Sequence, residues 1–208
     1  MYSMNGFLLI EPYLGSYSLN FNEIQYVLLF NLEGKYFVYF TMKPEPTITI
    51  KDKSGSPFGI KMGYPEDFPF VLEMYRTFSP KPASQGLPPE DPETCHNWVK
   101  ELFEIGENVL AWRGDSVIGH AALVPDMKGK SCEFVIFVDQ NVRCLGVGTE
   151  LTRFALEKSR QLGLDSVWLT VNVSNFIAIK LYTKCGFEYC DRDRYERTMR
   201  FRLREHTH

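Results

Sequence analysis

The fold is decided by Gln140-Asn-Val-Arg-Cys-Leu-Gly-Val-Gly-Thr149, which joins an apolar segment to an amphipathic one. The preceding residues, Cys132-Glu-Phe-Val-Ile-Phe-Val138, are mostly β-branched and aromatic, which predicts a strand. After the segment, apolar residues recur at helical spacing from Leu151 to Leu162, and Gly163 follows as a helix stop. The sequence therefore predicts a strand, a tight loop and a helix in succession.

Two glycines, Gly146 and Gly148, leave the main chain bare where the predicted helix begins. Free amide groups and the positive end of the helix dipole attract an anion there, typically a phosphate, and Arg143 adds a positive charge. An ordinary tight turn shows the same two glycines. A kinase-type phosphate loop is excluded because no Gly-Lys-Ser/Thr follows, and Leu151 replaces the third glycine of a dinucleotide fold. We interpret the segment as a diphosphate-binding loop.

A second block, Asn175-Phe-Ile-Ala-Ile-Lys-Leu-Tyr-Thr-Lys-Cys-Gly-Phe187, follows the predicted strand Ser166–Asn172. Arg143-x-x-Gly146-x-Gly148 followed by Asn175-x-x-Ala178-x-x-Leu181-Tyr182-x-x-x-Gly186-Phe187 resembles the GNAT superfamily of acyl-CoA-dependent N-acyltransferases. The two blocks stand in the family's order and at its spacing. The resemblance covers residues 58–203 and leaves residues 1–55 outside it.

Length and composition predict one well-packed globular core. The chain has 208 residues, of which 44% are hydrophobic and 14% aromatic, and its formal net charge is −3. We expect no membrane span, because no run of about 18 apolar residues is present, and no nucleic-acid partner, because Lys and Arg are scattered. The five cysteines form an odd set without metal-ligand spacing, which predicts reduced thiols, no metal site and a cytoplasmic location.

Residues 1–55 are predicted to form a β-rich N-terminal extension. Ile24–Phe30 and Lys35–Thr41 are typical of strands and flank a turn signal at Asn31–Gly34, and Thr47–Ile50 is predicted as a third strand. Because both hairpin strands carry apolar residues on both faces, we expect them to be covered on both sides. The cover is either the main domain or a second copy in a homodimer, and a ligand-sensing module is the alternative.

After a predicted linker at Lys51–Pro57, strands and helices alternate up to residue 203. The order is a strand, two helices, three strands, a helix, a strand, a helix and two strands. The first helix is predicted to open at Pro65, and Asp91 caps the second, whose apolar face is predicted to carry Trp98, Leu102 and Ile105. The pattern matches the resembled family and predicts an α/β fold with a single mixed, mostly antiparallel sheet flanked by helices over residues 58–203.

The resemblance implies an acetyl-CoA site in which acetyl-CoA is the co-substrate. In the family, the strand before the loop splays from its neighbour, and its main chain pairs with the pantetheine arm. The resemblance gives this role to Phe137 and Val138, with the Val138 N–H directed at the acetyl oxygen. Asn175 caps its helix and in the family also contacts the pantetheine. The diphosphate would be bound by the loop residues Arg143, Cys144, Leu145, Gly146, Val147, Gly148 and Thr149.

Acyl transfer to an amine also needs a base and an acid. Glu133 is the predicted base, because burial in an apolar strand should raise its pKa, and a solvent-facing or Arg-paired carboxylate is the alternative. The strand also resembles that of Pat-type protein lysine acetyltransferases, where a Glu at this place is the base. His120 is the rival base. By the family pattern, Tyr182 protonates the leaving thiolate, although its spacing also suits core packing.

The sequence thus predicts an acetyl-CoA-dependent N-acetyltransferase that acts on a primary amine. Met74-Tyr-Arg-Thr-Phe-Ser-Pro80 resembles a Phe-Ser-Pro segment of Pat-type enzymes and favours a protein lysine as acceptor. The arginine-rich stretch that usually follows is replaced by Lys81-Pro-Ala-Ser-Gln-Gly86, so a small-molecule amine is nearly as well supported. A non-catalytic acyl-CoA-binding regulatory module is the alternative from another class.

Overall fold

The computed structural model describes residues 5–10, 24–32, 35–42, 47–79, 88–126 and 130–203. The chain divides into two compact units, Met1–Pro46 and Thr47–His208. The division falls ahead of the boundary that the sequence suggested at residue 55. Among the described helices, none is long and apolar enough to cross a membrane.

The described residues of the first unit form a three-stranded antiparallel sheet. Its strands are β1 (Asn5–Ile10), β2 (Ile24–Leu32) and β3 (Lys35–Met42), in the order β1-β3-β2. The predicted antiparallel pair is present, with Phe30 opposite Phe37, while residues 33–34 of the turn lie outside the described residues. Strand β1 was not predicted as a strand, and it pairs with β3 along its whole length.

In the part of the second unit that the structure describes, eight strands form one sheet in the order β10-β11-β9-β8-β7-β6-β5-β4. Every neighbouring pair is antiparallel except β8 and β9, which are parallel. This confirms the predicted single, mixed and mostly antiparallel sheet. The strands are β4 (Ile48–Lys51), β5 (Pro57–Gly63), β6 (Glu107–Arg113), β7 (Ser116–Pro125), β8 (Ser131–Val138), β9 (Ser166–Asn172), β10 (Glu188–Tyr189) and β11 (Glu196–Arg202).

Among the described residues, four helices flank the sheet: α1 (Phe68–Thr77), α2 (Pro92–Ile105), α3 (Val147–Gln161) and α4 (Phe176–Lys184). A short 3-10 turn at Pro65–Asp67 precedes α1, and Asp91 caps α2 as expected, accepting a hydrogen bond from the Thr94 N–H at 2.7 Å. The apolar face of α2 differs from the prediction. It buries Cys95, Val99 and Leu102, whereas Ile105 is 42% exposed.

The helices pack in two layers because side chains alternate along the strands. Leu110 of β6 joins Val71 and Tyr75 of α1 and Val99 of α2 in one buried cluster. Its neighbours in sequence, Val109 and Ala111, point to the other face and join a second cluster with Val147, Leu151 and Ala155 of α3. Helices α1 and α2 therefore cover one face of the sheet, and α3 covers the other.

The predicted linker at Lys51–Pro57 is a tight turn inside the second unit. Strand β4 pairs with β5, with Ile50 opposite Phe58 and Lys51 opposite Pro57. The turn is folded around Asp52, whose buried carboxylate accepts hydrogen bonds from Ser54 and Ser56. The linker prediction was wrong because the composition of these residues is typical of both linkers and hairpin turns. Only the pairing of β4 with β5 distinguishes a hairpin turn from a linker here.

Candidate active site

A gap in the main sheet lies between β8 and β9. Their parallel pairing covers only three residue pairs and ends at Glu133 opposite Trp168. Both strands continue beyond this point, to Val138 and Asn172. Beyond Glu133, β8 keeps its pairing with β7 on the other side, up to Val138 opposite Gly119. The main chain of residues 134–138 is therefore open toward β9, which leaves donors and acceptors for a ligand that pairs like a strand.

The glycine loop leads from the open end of β8 into α3. Gly146 is the N-cap of α3 with φ of 103°, a left-handed conformation that suits glycine. The Glu150 N–H donates to Gly146 O at 3.2 Å. The amides of residues 147–149 come before Glu150 in the first turn of α3. The helix has no carbonyl four residues before them, so they have no acceptor within it. The loop thus presents main-chain N–H groups at the positive end of a 15-residue helix.

The space beside Gly148 is narrow and faces the gap. A Cβ atom at this position would lie 3.3 Å from Leu181 Cδ2 and 3.4 Å from Val138 Cγ2. These atoms belong to α4 and to the open end of β8, so Gly148 lies where the loop, the gap and α4 meet. A diphosphate with an attached extended arm suits this cradle, because the loop offers amides and the open strand offers pairing groups.

The side chain of Arg143 is already engaged within the protein. Its Nε donates to Val138 O at 3.1 Å, and its guanidinium lies 4.9 Å from the centre of the Phe78 ring. The Val138 carbonyl therefore has a partner within the chain. Cys144 is exposed and has a positive φ of 63°, which is uncommon for a residue with a side chain. Its carbonyl accepts a hydrogen bond from Lys53 Nζ at 3.0 Å.

Glu133 is half-buried at the point where the two strands separate. Burial raises the pKa of its carboxyl group above the usual range. Among the described residues, no Arg or Lys forms an ion pair with it. Its side chain shares a face of β8 with Phe137, which packs against the α1 and α2 layer.

Tyr182 of α4 lies on the other side of β8. It is 8% exposed, and its ring contacts Phe134 and Phe187 with centroid distances of 6.5 Å and 5.8 Å. Burial raises the pKa of its hydroxyl group, so the hydroxyl is protonated at neutral pH. Phe134 follows Glu133 in sequence and points to the opposite face. The structure therefore places the predicted base and the predicted acid on the two sides of the open strand.

His120, the rival base, is a buried core residue. Its Nε2 lies 2.8 Å from Asn108 Oδ1, and its Nδ1 lies 2.9 Å from the Tyr75 hydroxyl. The Asn108 amide nitrogen donates to Leu102 O and Gly106 O, which makes Oδ1 the acceptor toward His120. Nε2 therefore carries the proton, and Nδ1 accepts from Tyr75. Burial lowers the pKa of His120 to about 3.

Asn175 caps α4, as the sequence predicted. Its side-chain oxygen accepts a hydrogen bond from the Ala178 N–H at 3.2 Å. The sequence reasoning missed two groups near the site. One is the turn that carries Lys53, whose only signal was an Asp-x-Ser-Gly-Ser pattern typical of turns. The other is an aromatic cluster around Phe137, whose ring makes edge contacts with Tyr75, Phe78 and Trp98.

The sequence profile of the Acetyltransferase (GNAT) family matches residues 68–187 of the chain. The chain belongs to this family. The matched range runs from α1 through the glycine loop, the gap and α4, and it includes Glu133 and Tyr182. It does not include the β4–β5 hairpin.

This GNAT chain is similar in sequence to two named proteins over part of its length. It is 34% identical over 90 residues to an uncharacterized N-acetyltransferase, YvbK, of Bacillus subtilis, a match that covers 43% of this chain and 57% of that protein. It is 36% identical over 86 residues to a mycothiol acetyltransferase of Geodermatophilus obscurus, covering 38% of this chain and 27% of that protein. The chain thus spans less than two thirds of either protein.

Solved structures share the GNAT fold with this chain. The GNAT domain of S. lividans PAT superposes with a TM-score of 0.65 at 14% identity, covering 75% of this chain and 96% of that domain. The structure of yncA from Salmonella typhimurium, which was determined with its cofactor acetyl-CoA, superposes with a TM-score of 0.60 at 17% identity, covering 73% of this chain and 96% of that one.

Proposed function

We propose that this protein transfers the acetyl group of acetyl-CoA to a primary amine. The observation that carries the proposal is the gap between β8 and β9, which opens directly into the glycine loop at the start of α3. An extended ligand with a diphosphate at one end suits both features. The co-substrate of GNAT enzymes is acetyl-CoA, which supplies an acetyl group activated as a thioester.

Most of the contacts with acetyl-CoA are proposed to come from the main chain. The amides of the loop from Arg143 to Thr149 would bind the diphosphate, and the open main chain at Phe137 and Val138 would pair with the pantetheine arm. Because Val138 O already accepts from Arg143 Nε, the Val138 N–H is its freer group for the ligand. Asn175, the N-cap of α4 shortly after the end of β9, is the proposed additional contact.

Glu133 is the proposed base. An alkylammonium ion must lose a proton before its nitrogen can attack, and a carboxylate with a raised pKa is a better proton acceptor at neutral pH than an ordinary one. The position of Glu133 on the α1 and α2 side of β8 lets the amine approach from that side. The proton passes from the ammonium nitrogen to the carboxylate, directly or through one water molecule.

Tyr182 is the proposed acid. As the carbon–sulfur bond of the thioester breaks, the sulfur carries the electron pair away and needs a proton. The Tyr182 hydroxyl, which stays protonated at neutral pH, can supply it from the α4 side of the gap. Coenzyme A leaves as a thiol, and the nitrogen that now carries the acetyl group loses its second proton to become an amide. That proton restores the Tyr182 hydroxyl.

For the acceptor, we favour a lysine side chain on a protein. The support is the Phe-Ser-Pro segment that follows α1 in the sequence and resembles a segment of Pat-type enzymes. A small-molecule amine is the second candidate, favoured by the sequence similarity to the mycothiol acetyltransferases.

A thiol-release assay with acetyl-CoA tests the proposal. The purified protein is offered lysine-bearing proteins and, separately, small amines, and the acetylated product is identified by mass spectrometry. Gly148→Val serves as the control that should not bind acetyl-CoA. Release with a protein acceptor supports the lysine assignment, and release with small amines alone replaces it by the second candidate. Tight acetyl-CoA binding without release in any arm would contradict transfer and leave a regulatory acyl-CoA-binding module.

A further inference from the structure

The turn between β4 and β5, residues 52–56, reaches the glycine loop from outside the region that matches the family profile. The Lys53 N–H donates to Leu145 O at 2.9 Å, and Lys53 Nζ donates to Cys144 O at 3.0 Å. We propose that Lys53 is an additional phosphate-binding residue of the acyl-CoA site. The inference rests on the proposed function, because it takes the glycine loop to be the site of the acyl-CoA phosphates.

The turn that carries Lys53 is held firmly by Asp52. The Asp52 carboxylate is fully buried and accepts hydrogen bonds from the Ser54 N–H, the Ser54 hydroxyl and the Ser56 N–H at 2.8, 2.6 and 3.0 Å. Its second oxygen accepts from Arg113 Nη2 of β6. The hydrogen bonds from Ser54, together with Arg113, lower the pKa of Asp52 to about 2. Asp52 is therefore charged at any ordinary pH, and the backbone of Lys53 has a fixed position.

The ammonium group of Lys53 has capacity for a ligand. An ammonium group carries three N–H donors, and the Cys144 carbonyl takes one of them. Lys53 is exposed, and its Cγ lies 3.9 Å from the position of a Cβ atom at Gly146, so the side chain runs alongside the N-cap of α3. A phosphate bound at the α3 N-terminus would lie beside this charge and would be a stronger acceptor than a neutral carbonyl.

Arg143, the cation that belongs to the family motif, is less available than its sequence position suggests. Its Nε is bonded to Val138 O and its guanidinium lies over Phe78. Lys53, by contrast, contacts the loop with its main-chain N–H, at Leu145 O, and with its charged ammonium group, at Cys144 O. The β4–β5 turn therefore supplies a positive charge that the family motif does not contain.

A purely structural role for Lys53 predicts a different outcome under mutation. Lys53→Gln keeps an N–H donor for the Cys144 carbonyl but removes the charge, whereas Lys53→Arg keeps the charge. If Lys53 only fastens the turn to the loop, the glutamine variant keeps its affinity for coenzyme A. If Lys53 binds phosphate, the glutamine variant loses affinity and the arginine variant retains most of it.

The test is calorimetric titration of the wild-type protein and both variants with coenzyme A and with 3′-dephospho-coenzyme A. For Lys53→Gln we expect the dissociation constant for coenzyme A to rise about five- to thirtyfold, a discounted value for an exposed charge-assisted contact. The dependence of affinity on salt concentration should also weaken. The matched control is Lys100→Gln on α2, which removes the same charge from the opposite layer of the protein.

Comparing the two ligands identifies which phosphate group Lys53 binds. An effect of equal size with both ligands assigns Lys53 to the diphosphate, and an effect seen only with coenzyme A assigns it to the 3′-phosphate. The inference is overturned if Lys53→Gln binds coenzyme A as tightly as the wild type, or if Lys53→Arg loses as much affinity as Lys53→Gln. Wild-type protein that binds neither ligand would instead overturn the assignment of the loop itself, so the two failures are distinguishable.

Discussion

Replacing Glu133 by glutamine should slow acetyl transfer and at the same time stabilise the folded protein. Glutamine has nearly the same shape as glutamate, so packing around β8 should be unchanged. What the variant loses is the charge of a half-buried carboxylate whose pKa is raised by burial. Such a group costs folding free energy whenever it is ionised. A residue kept for catalysis at a cost to stability is expected to show both effects together.

The expected loss of rate follows from the proposed role. A positioned base contributes about 10²- to 10⁴-fold, so kcat of Glu133→Gln should fall within that range. This loss corresponds to about 3 to 5 kcal/mol of the activation barrier. Affinity for acetyl-CoA should change little, because the loop and the open strand at Phe137 and Val138 are proposed to hold the ligand through their main chain.

The gain in stability depends on pH, and its sign follows from the direction of the pKa shift. Because the folded-state pKa of Glu133 lies above the unfolded-state value, the folded protein binds more protons between the two pKa values, and its stability falls as the pH rises through that window. The advantage of Glu133→Gln is therefore fully present above the folded-state pKa. It disappears below the unfolded-state pKa of about 4.3.

Two measurements check this reasoning: kcat/KM as a function of pH, and thermal unfolding at neutral and acidic pH. Wild-type kcat/KM should fall at acidic pH as Glu133 is protonated, and the variant should lack this decline. Glu188→Gln on the exposed edge strand β10 is the matched control and should change neither quantity. A variant with the wild-type rate and an intact acidic decline would refute Glu133 as base. A variant less stable than the wild type at neutral pH would refute the electrostatic argument.

Three further predictions concern the opposite side of the gap, the loop and the core. Tyr182→Phe should lower kcat by about 10²- to 10⁴-fold while keeping the acidic decline of kcat/KM, and an unchanged kcat would remove Tyr182 as the acid. Gly148→Val should abolish coenzyme A binding by calorimetry, because its branched side chain would enter the space between Leu181 and Val138, and unchanged affinity would contradict the cofactor site. Tyr75→Phe should cost about 1 to 3 kcal/mol in urea unfolding, since it leaves His120 Nδ1 without its donor, and a neutral effect would contradict that hydrogen bond.

The order of strands and helices in the second unit was predictable because local patterns decide it. Short stretches of sequence are enough to predict the strand at Cys132–Val138 and the helix stop at Gly163. The face that α2 buries was not read correctly, because the helix carries apolar residues on neighbouring stripes. Burial of Cys95 and Val99 in place of Ile105 is a small rotation of the helix that only its contact with α1 and the sheet determines.

Parts of the site depend on contacts between distant residues and could not be read from the sequence. The hydrogen bonds from Tyr75 to His120 and from His120 to Asn108 join three separate elements and turn a candidate base into a core residue. The contact of Lys53 with Cys144 bridges residues far apart in the chain. None of these three pairs has a spacing signal, because a hydrogen bond between distant residues leaves no periodic pattern in the sequence.

Glu133 and Tyr182 can take part in one reaction because successive side chains of a strand point to opposite faces of the sheet. Glu133 and Phe134 are neighbours in the chain, so their side chains leave β8 on opposite faces, and Tyr182 packs against Phe134. In a fully paired sheet, the backbone of β9 would separate the two sides. Here the pairing of β8 with β9 ends at Glu133, so the strands part at the residue proposed as base. The gap that is proposed to hold the pantetheine arm would also let an amine on the Glu133 side and an acid on the Tyr182 side reach the same thioester.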